Sequence, residues 1–333
     1  MTQHYLNPIS WDDIPSSKFA SLIRSKPEGC QIALIGLPDD TGVGLNNGRL
    51  GAKEGPAAFR KALAKYGVAQ PAGWDWPTVF DAGDVDVVPG DLHETHRRVS
   101  IAVKSILDLG LFPIAIGGGH DLTFPFVRAV ADHFGPLDGM YFDAHLDVRE
   151  TDGSGMPFRK LLETGAARSL RVHGLDFNSN TREHVNWFTD HRNCHISTFD
   201  EPADYYFSQI EVLYSCDQKS SNETFPSMSA PPIPGMDGYW PDDDTFVSLD
   251  LDVIDQAHAP GVSAHNACGW TPKQVEEWMQ VAGRCPDVRC FDIMELSPPF
   301  DHDDRTARIA ARMFLAFLRG YSQKDDPRSE DLD

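Results

Sequence analysis

No apolar run in this 333-residue chain approaches 18 residues, no two cysteines form a CxxC pair, and 29 Lys and Arg face 50 Asp and Glu. Each absence removes a class of function. The first, with a mean hydropathy of −0.35, excludes a helical membrane span. Six cysteines scattered at 30, 194, 216, 268, 285 and 290 suit reduced structural thiols better than a disulfide framework. A formal charge of −21 argues against nucleic acid as a partner, since a polyanion needs a basic surface, and it means that an acidic small molecule would need a local group of arginines. The opening MTQHYLNPISWDD has no basic segment followed by an apolar stretch, so a cytoplasmic location is expected. The phosphate loop GxxxxGK[ST] is missing, and the dinucleotide fingerprint GxGxxG fails at Leu122. Neither repeats nor low-complexity arrays occur.

What the chain has is alternation. Short apolar runs at 31–38, 112–119, 137–145, 169–175, 245–253 and 288–296 predict buried strands. Helical patterns lie between them at 55–67, 93–110, 122–135, 181–191, 271–283 and 305–320. That order predicts an α/β fold, a mostly parallel central sheet between helices, in one domain over residues 1–321. The Pro-, Ser- and Asp-rich stretch 216–244 reads as a surface excursion, and the polar end 322–333 as a disordered acidic tail.

Polar residues concentrate where the apolar runs end. IGGGHDLTF brings His120, YFDAHLDVRE brings Asp143, His145 and Asp147, SLDLDVID brings Asp250 and Asp252, and FDIMELSPP brings Glu295. In an open α/β sheet, ligands bind at the carboxyl ends of the strands. If the strand stays extended, 143, 145 and 147 project to one side, and buried carboxylates so close together need a cation. Taken singly, the glycine run is also compatible with a plain strand-to-helix turn, and SLDLDVID with an acidic strand end capped by Asp255. Together, two imidazoles and four carboxylates match divalent manganese and its neighbours and exceed the needs of one ion. Bridging carboxylates would hold two ions roughly 3.5 to 4 Å apart, close enough to share one attacking hydroxide.

GGGHD, FDAHLD, SLDLDVIDQAHAPGVS and MELSP, in this order, resemble the metal motifs of the arginase and agmatinase superfamily, the ureohydrolases, over residues 30 to 320. The resemblance implies a three-layer αβα sandwich and two Mn²⁺ ions per chain. His120, Asp143, Asp147 and Asp250 would hold one ion, and His145, Asp143, Asp250 and Asp252 the other. Glu295 would accept hydrogen bonds from the nitrogens of an amidine substrate. Self-association is common in such proteins, and nothing in the chain sets a subunit number.

Where arginases and agmatinases carry a proton-shuttling histidine, this chain has Ser154, a poor general acid at neutral pH, so proton delivery is expected to pass to Asp147. DAHLDVRE, SGMPFRKLL, GVGLNNGRLGAKEGP and APGVSA resemble formimidoylglutamases, which hydrolyse N-formimidoyl-L-glutamate to L-glutamate and formamide. An acidic tail suits Arg49, Arg149 and Arg159 beside the metal motifs, with Asn47 and Ser154 as further substrate contacts. The expected partner is thus a small amidine with an acidic tail. The competing expectations are a ureohydrolase acting on a guanidino acid or amine, and a non-catalytic metal-binding relative.

Overall fold

The computed structural model describes residues 5–69, 75–198 and 243–324. The parts of the expected excursion and tail at 216–242 and 325–333 lie outside the described residues. Nine strands form one sheet: β1 Leu6–Asn7, β2 Ile32–Leu37, β3 Val79–Val85, β4 Phe112–Gly117, β5 Leu137–Phe142, β6 Ala167–Leu175, β7 Cys194–Thr198, β8 Thr245–Asp250 and β9 Val288–Met294. Their spatial order is β1-β3-β2-β4-β9-β8-β5-β6-β7. β1 runs antiparallel to β3, and every other pairing is parallel.

Strand alternation builds two cores. In β2, Ala33, Ile35 and Leu37 pack into one layer, while Ile32 and Leu34 pack into the other. The first layer holds Val99 and Val103 of α3 (Leu92–Leu107), Phe126 and Val130 of α4 (Thr123–Phe134) and Phe158 of α5 (Pro157–Glu163). The second holds Phe59 of α2 (Gly55–Leu63), Met279 of α7 (Pro272–Arg284) and Phe314 of α8 (Arg305–Tyr321). The short α1 (Thr41–Leu45) and α6 (Arg182–Asp190) complete a three-layer αβα sandwich. Burial on both faces explains why the parallel strands read as continuous apolar runs.

All six expected strands and six expected helices form, with ends displaced by a few residues. The pattern missed β3 because Asp81, Gly83 and Asp84 interrupt its apolar run; Asp81 is nonetheless buried, paired with Arg60 of α2 at 2.8 Å. The edge strands β1 and β7 and the helices α1 and α5 are too short to show a period. Among the described residues Cys30, Cys194, Cys268, Cys285 and Cys290 are free, and no helix is long and apolar enough to cross a membrane.

Candidate metal centre

The four central strands β4, β9, β8 and β5 are neighbours, and each delivers part of the site from its carboxyl end. His120 opens a 3-10 turn after β4. The glycines before it allow a close approach: Gly118 and Gly119 donate to the carbonyls of Leu37 and Asp39 (both 3.0 Å), and a Cβ on Gly118 would overlap the Asp39 carbonyl. Asp250 ends β8, and its Oδ1 accepts from the N–H of Asp252 (2.8 Å), which lies in the 3-10 turn Leu251–Val253.

The expected alternation along an extended 143–147 strand does not occur. β5 stops at Phe142, and Asp147 has a left-handed backbone, φ +46°. Local bonds curl the segment instead: Asp143 Oδ1 accepts from the N–H of His145 (2.6 Å), Asn180 Oδ1 from that of Leu146 (2.9 Å), and the Tyr141 hydroxyl donates to the Leu146 carbonyl (3.0 Å). The three side chains converge through this loop, not through strand pleating.

Two groups result, joined by Asp143. In the first, His120 Nδ1 lies 3.3 Å from Asp143 Oδ2, 3.0 Å from Asp147 Oδ2 and 3.1 Å from Asp250 Oδ2. In the second, His145 Nδ1 lies 3.4 Å from Asp143 Oδ1 and 3.0 Å from Asp252 Oδ2. His120 Nδ1 and Asp143 Oδ2 are buried yet make no hydrogen bond among the described residues, despite these short separations. Donor atoms of this kind, crowded together without hydrogen-bond geometry, fit a divalent cation.

The electrostatics agree. Burial, with Asp147 and Asp252 nearby, pushes the Asp143 carboxyl up to about 6, and burial beside Asp252 and Asp143 holds Asp250 well above the ordinary range. Burial disfavours charge on His120, yet Asp143, Asp147 and Asp250 hold its imidazole well above its usual value; Asp252 and Asp143 do the same for His145. The site demands positive charge, which divalent ions would supply in place of these protons.

Glu295 follows β9 with a left-handed backbone (φ +66°) and is 2% exposed. Its Oε1 accepts from the N–H of His120 (2.8 Å) and its Oε2 from the Ser263 hydroxyl, while burial pushes its carboxyl up to about 7. The helix following it is capped by Asp301, which accepts from the N–H groups of Thr306 (2.9 Å) and Ala307 (3.0 Å). Asp304, at the N-cap position itself, makes no side-chain cap and pairs with Lys65 at 2.7 Å and Lys61 at 3.4 Å.

The expected tail-binding residues occupy different settings. Arg49 directs Nε to the Ser263 carbonyl (3.1 Å), lies 2.8 Å from His265 Nε2 and stacks 4.0 Å over Phe300, so it braces the segment that carries Ser263. Arg159 pairs with Glu163 at 2.7 Å and lies 5.0 Å over Trp187. Arg149 is exposed, has no ion pair among the described residues, and passes over Gly155 beside Ser154. Ser154 donates its N–H to the Gly42 carbonyl (3.0 Å). Asn47 is exposed with φ +58°.

Sequence reasoning missed four participants. Asn46, next to the expected Asn47, is the residue that meets Ser154 Oγ at 3.0 Å. Ser263 lay within the quoted APGVSA without a role. Ser248 and Asp292 flank His120 from inside β8 and β9, and burial pushes Asp292 up to about 6. Strand alternation offered a signal for Ser248, two residues before Asp250, and a carboxylate inside an apolar run offered one for Asp292.

The arginase family pattern matches residues 30–217 and 235–319 of this chain. The formimidoylglutamase of Rhodococcus jostii is 32% identical over 87% of the chain and 85% of its own length. The mitochondrial guanidino acid hydrolase of Homo sapiens is 29% identical over 89% and 80%. The crystal structure of Trypanosoma cruzi formiminoglutamase with Mn²⁺ is 29% identical, with a TM-score of 0.74 over 91% of this chain and 97% of that one. With carboxylates and imidazoles gathered at four adjacent strand ends, these likenesses lead to one conclusion: the chain belongs to the arginase family and is a metal-dependent hydrolase of C–N bonds.

Proposed function

We propose that this hydrolase is a formimidoylglutamase working with two Mn²⁺ ions, releasing L-glutamate and formamide from N-formimidoyl-L-glutamate. The observation that carries the reading is the pair of donor groups sharing Asp143, with Glu295 hydrogen-bonded to the same turn as His120. His120, Asp143, Asp147 and Asp250 would hold one ion, and His145, Asp143, Asp250 and Asp252 the other; bound there, the ions supply a hydroxide at neutral pH and offset charge developing on the substrate.

The chain's own side chains do the rest. Glu295, an acceptor beside the donor groups, orients the amidine by accepting from its N–H groups. Asp147 is the carboxylate suited to carry a proton to the departing amine: its side chain is 15% exposed against 0% for Asp143 and 3% for Asp250, so it reaches both the site and solvent. Ser154, held by Asn46, contributes a hydrogen bond and no general acid.

Despite the net charge of −21, an acidic substrate tail would have one exposed guanidinium to meet, that of Arg149, two residues beyond Asp147. The His184 imidazole is held below its usual value by burial, and then by the charge of Arg149, with Arg159 adding to it. Arg149, with no ion pair among the described residues, is the guanidinium best placed to fork onto a substrate carboxylate.

The likeness to the human guanidino acid hydrolase supports a second reading, a guanidino acid with the same kind of tail. Product analysis separates the two. The Mn²⁺-loaded protein should release formamide and glutamate from N-formimidoyl-L-glutamate, and release of urea from a guanidino acid with no turnover of the formimino compound would overturn the assignment.

A further inference from the structure

Behind His120 a second line of polar groups runs away from the site into the sheet. Ser248 of β8 stands in register with Asp292 of the adjacent parallel strand β9, and both are fully buried. His120 Nε2 lies 3.0 Å from Ser248 Oγ, and the Ser248 hydroxyl donates to Asp292 Oδ1 at 2.6 Å. Thr123 Oγ1 lies 3.5 Å from the same hydroxyl. Among the described residues Asp292 has no ion pair, although burying a carboxylate costs several kcal/mol unless something compensates it.

We infer that Asp292, acting through Ser248, is a positioning residue that fixes the tautomer and orientation of His120 for cation binding. The inference rests on the reading that a divalent ion binds at His120. An ionised carboxylate only accepts, so the single hydroxyl hydrogen of Ser248 points at Asp292. Ser248 Oγ then presents only lone pairs to His120, and Nε2 must carry the ring proton. A neutral imidazole protonated at Nε2 has its lone pair on Nδ1, the atom that faces Asp143, Asp147 and Asp250. Carboxylate partners of metal-bound imidazoles generally act this way, and here a serine extends the reach by one link. The arrangement also answers the burial of Asp292, because a cation on the far side of the ring draws electron density from it and makes Nε2–H a stronger donor into the chain.

The test is Mn²⁺ titration against a chromogenic chelator, with thermal melts of the metal-free proteins alongside. Wild type should take up two ions. Ser248→Ala should weaken uptake of one ion about 10- to 100-fold and leave the other unchanged, since His145 is not on this chain. Asp292→Asn should weaken the same ion by a smaller factor, because an amide oxygen still accepts from Ser248 without the charge. The double variant should be no worse than Ser248→Ala alone, as the Ser248 hydroxyl is the hydrogen-bonded link between Asp292 and His120. A merely structural role would weaken both ions, lower the metal-free melting temperature in step, and add in the double variant; that pattern overturns the inference, as does unaltered uptake by Ser248→Ala. A wild-type chain that takes up no Mn²⁺ would refute the metal reading and this inference together, and the wild-type measurement distinguishes that failure from the others.

Discussion

Glu295 accepts a hydrogen bond from the main-chain N–H of His120 at 2.8 Å, so the exits of β9 and β4 are tied together by a side chain of the site itself. Glu295→Gln retains the shape and an oxygen acceptor for His120 but loses the charge that attracts an amidinium. We expect kcat to fall on the order of 100-fold with both ions retained, the scale of losing one electrostatic contact to a reacting group. Steady-state kinetics with metal analysis on the same sample checks this, and metal loss in step with activity would make Glu295 a structural prop.

Asp143 belongs to both donor groups. Asp143→Ala should therefore lose Mn²⁺ and nearly all turnover. In chelator the variant should melt no lower than wild type, because burial already pushes this carboxyl up to about 6 and its removal relieves repulsion with Asp147 and Asp252. Adding Mn²⁺ should raise the melting temperature of wild type alone, by the equivalent of about 2.7 kcal/mol per site at a hundredfold excess over Kd. Full activity in Asp143→Ala would remove the two-ion reading.

The two arginines near the rim should behave differently. Arg149→Ala should raise KM for N-formimidoyl-L-glutamate by about 1.5–3 kcal/mol, the scale of a charged hydrogen bond, with kcat less affected. Arg149→Lys should recover part of that, since an ammonium lacks the planar fork. Arg159→Ala should act mainly on stability, because its guanidinium already pairs with Glu163 and covers Trp187. The reverse ranking would transfer the tail to Arg159. Equal losses on the diamide of the substrate would show that neither residue grips a carboxylate.

His173 is buried between Phe142 and Trp278, and burial, helped by Arg171, pushes its imidazole down to about 3. Unfolding exposes a ring that binds a proton near its ordinary value of about 6.5. Between those two values the unfolded chain holds the extra proton, so stability falls as pH drops from about 6.5 toward 3. Replacing His173 with Phe should flatten that part of the curve, measured as urea midpoints in chelator between pH 7 and 4.5. An unchanged slope would show that the ring is already solvated or protonated in the native state.

Much of this was legible in the sequence because two signals coincide. Apolar runs buried on both faces marked β2, β4, β5, β8 and β9, and the polar residues terminating four of them marked the site. What escaped depended on geometry that local pattern does not encode. The pleat placed Asp143, His145 and Asp147 on one side, yet the side chains meet because the chain leaves β5 at Phe142 and curls. Asn46 and Asn47 are indistinguishable by type, and only the packing of residue 46 against Ser154 separates them. Which arginine keeps its guanidinium free of an ion pair among the described residues was not legible, because the acids that engage Arg159 and the carbonyls that engage Arg49 come from tertiary neighbours and helix spacing.

Asp147 and Glu295 both sit at positive φ, +46° and +66°, and this narrows the mutational routes open to the enzyme. Few side chains tolerate that backbone region; Gly, Asn and Asp do so most readily, and β-branched residues least. At Asp147 the tolerated exchanges remove the charge while leaving the loop intact, so inactive descendants should persist as folded proteins. At Glu295 a drift to Val or Ile would remove the carboxylate and strain the turn together, and is expected to be eliminated by misfolding as well as by lost catalysis. Divergence within such a lineage is thus channelled at both strand exits: exchanges to Gly or Asn give folded, silent derivatives, whereas β-branched exchanges lose the fold with the activity.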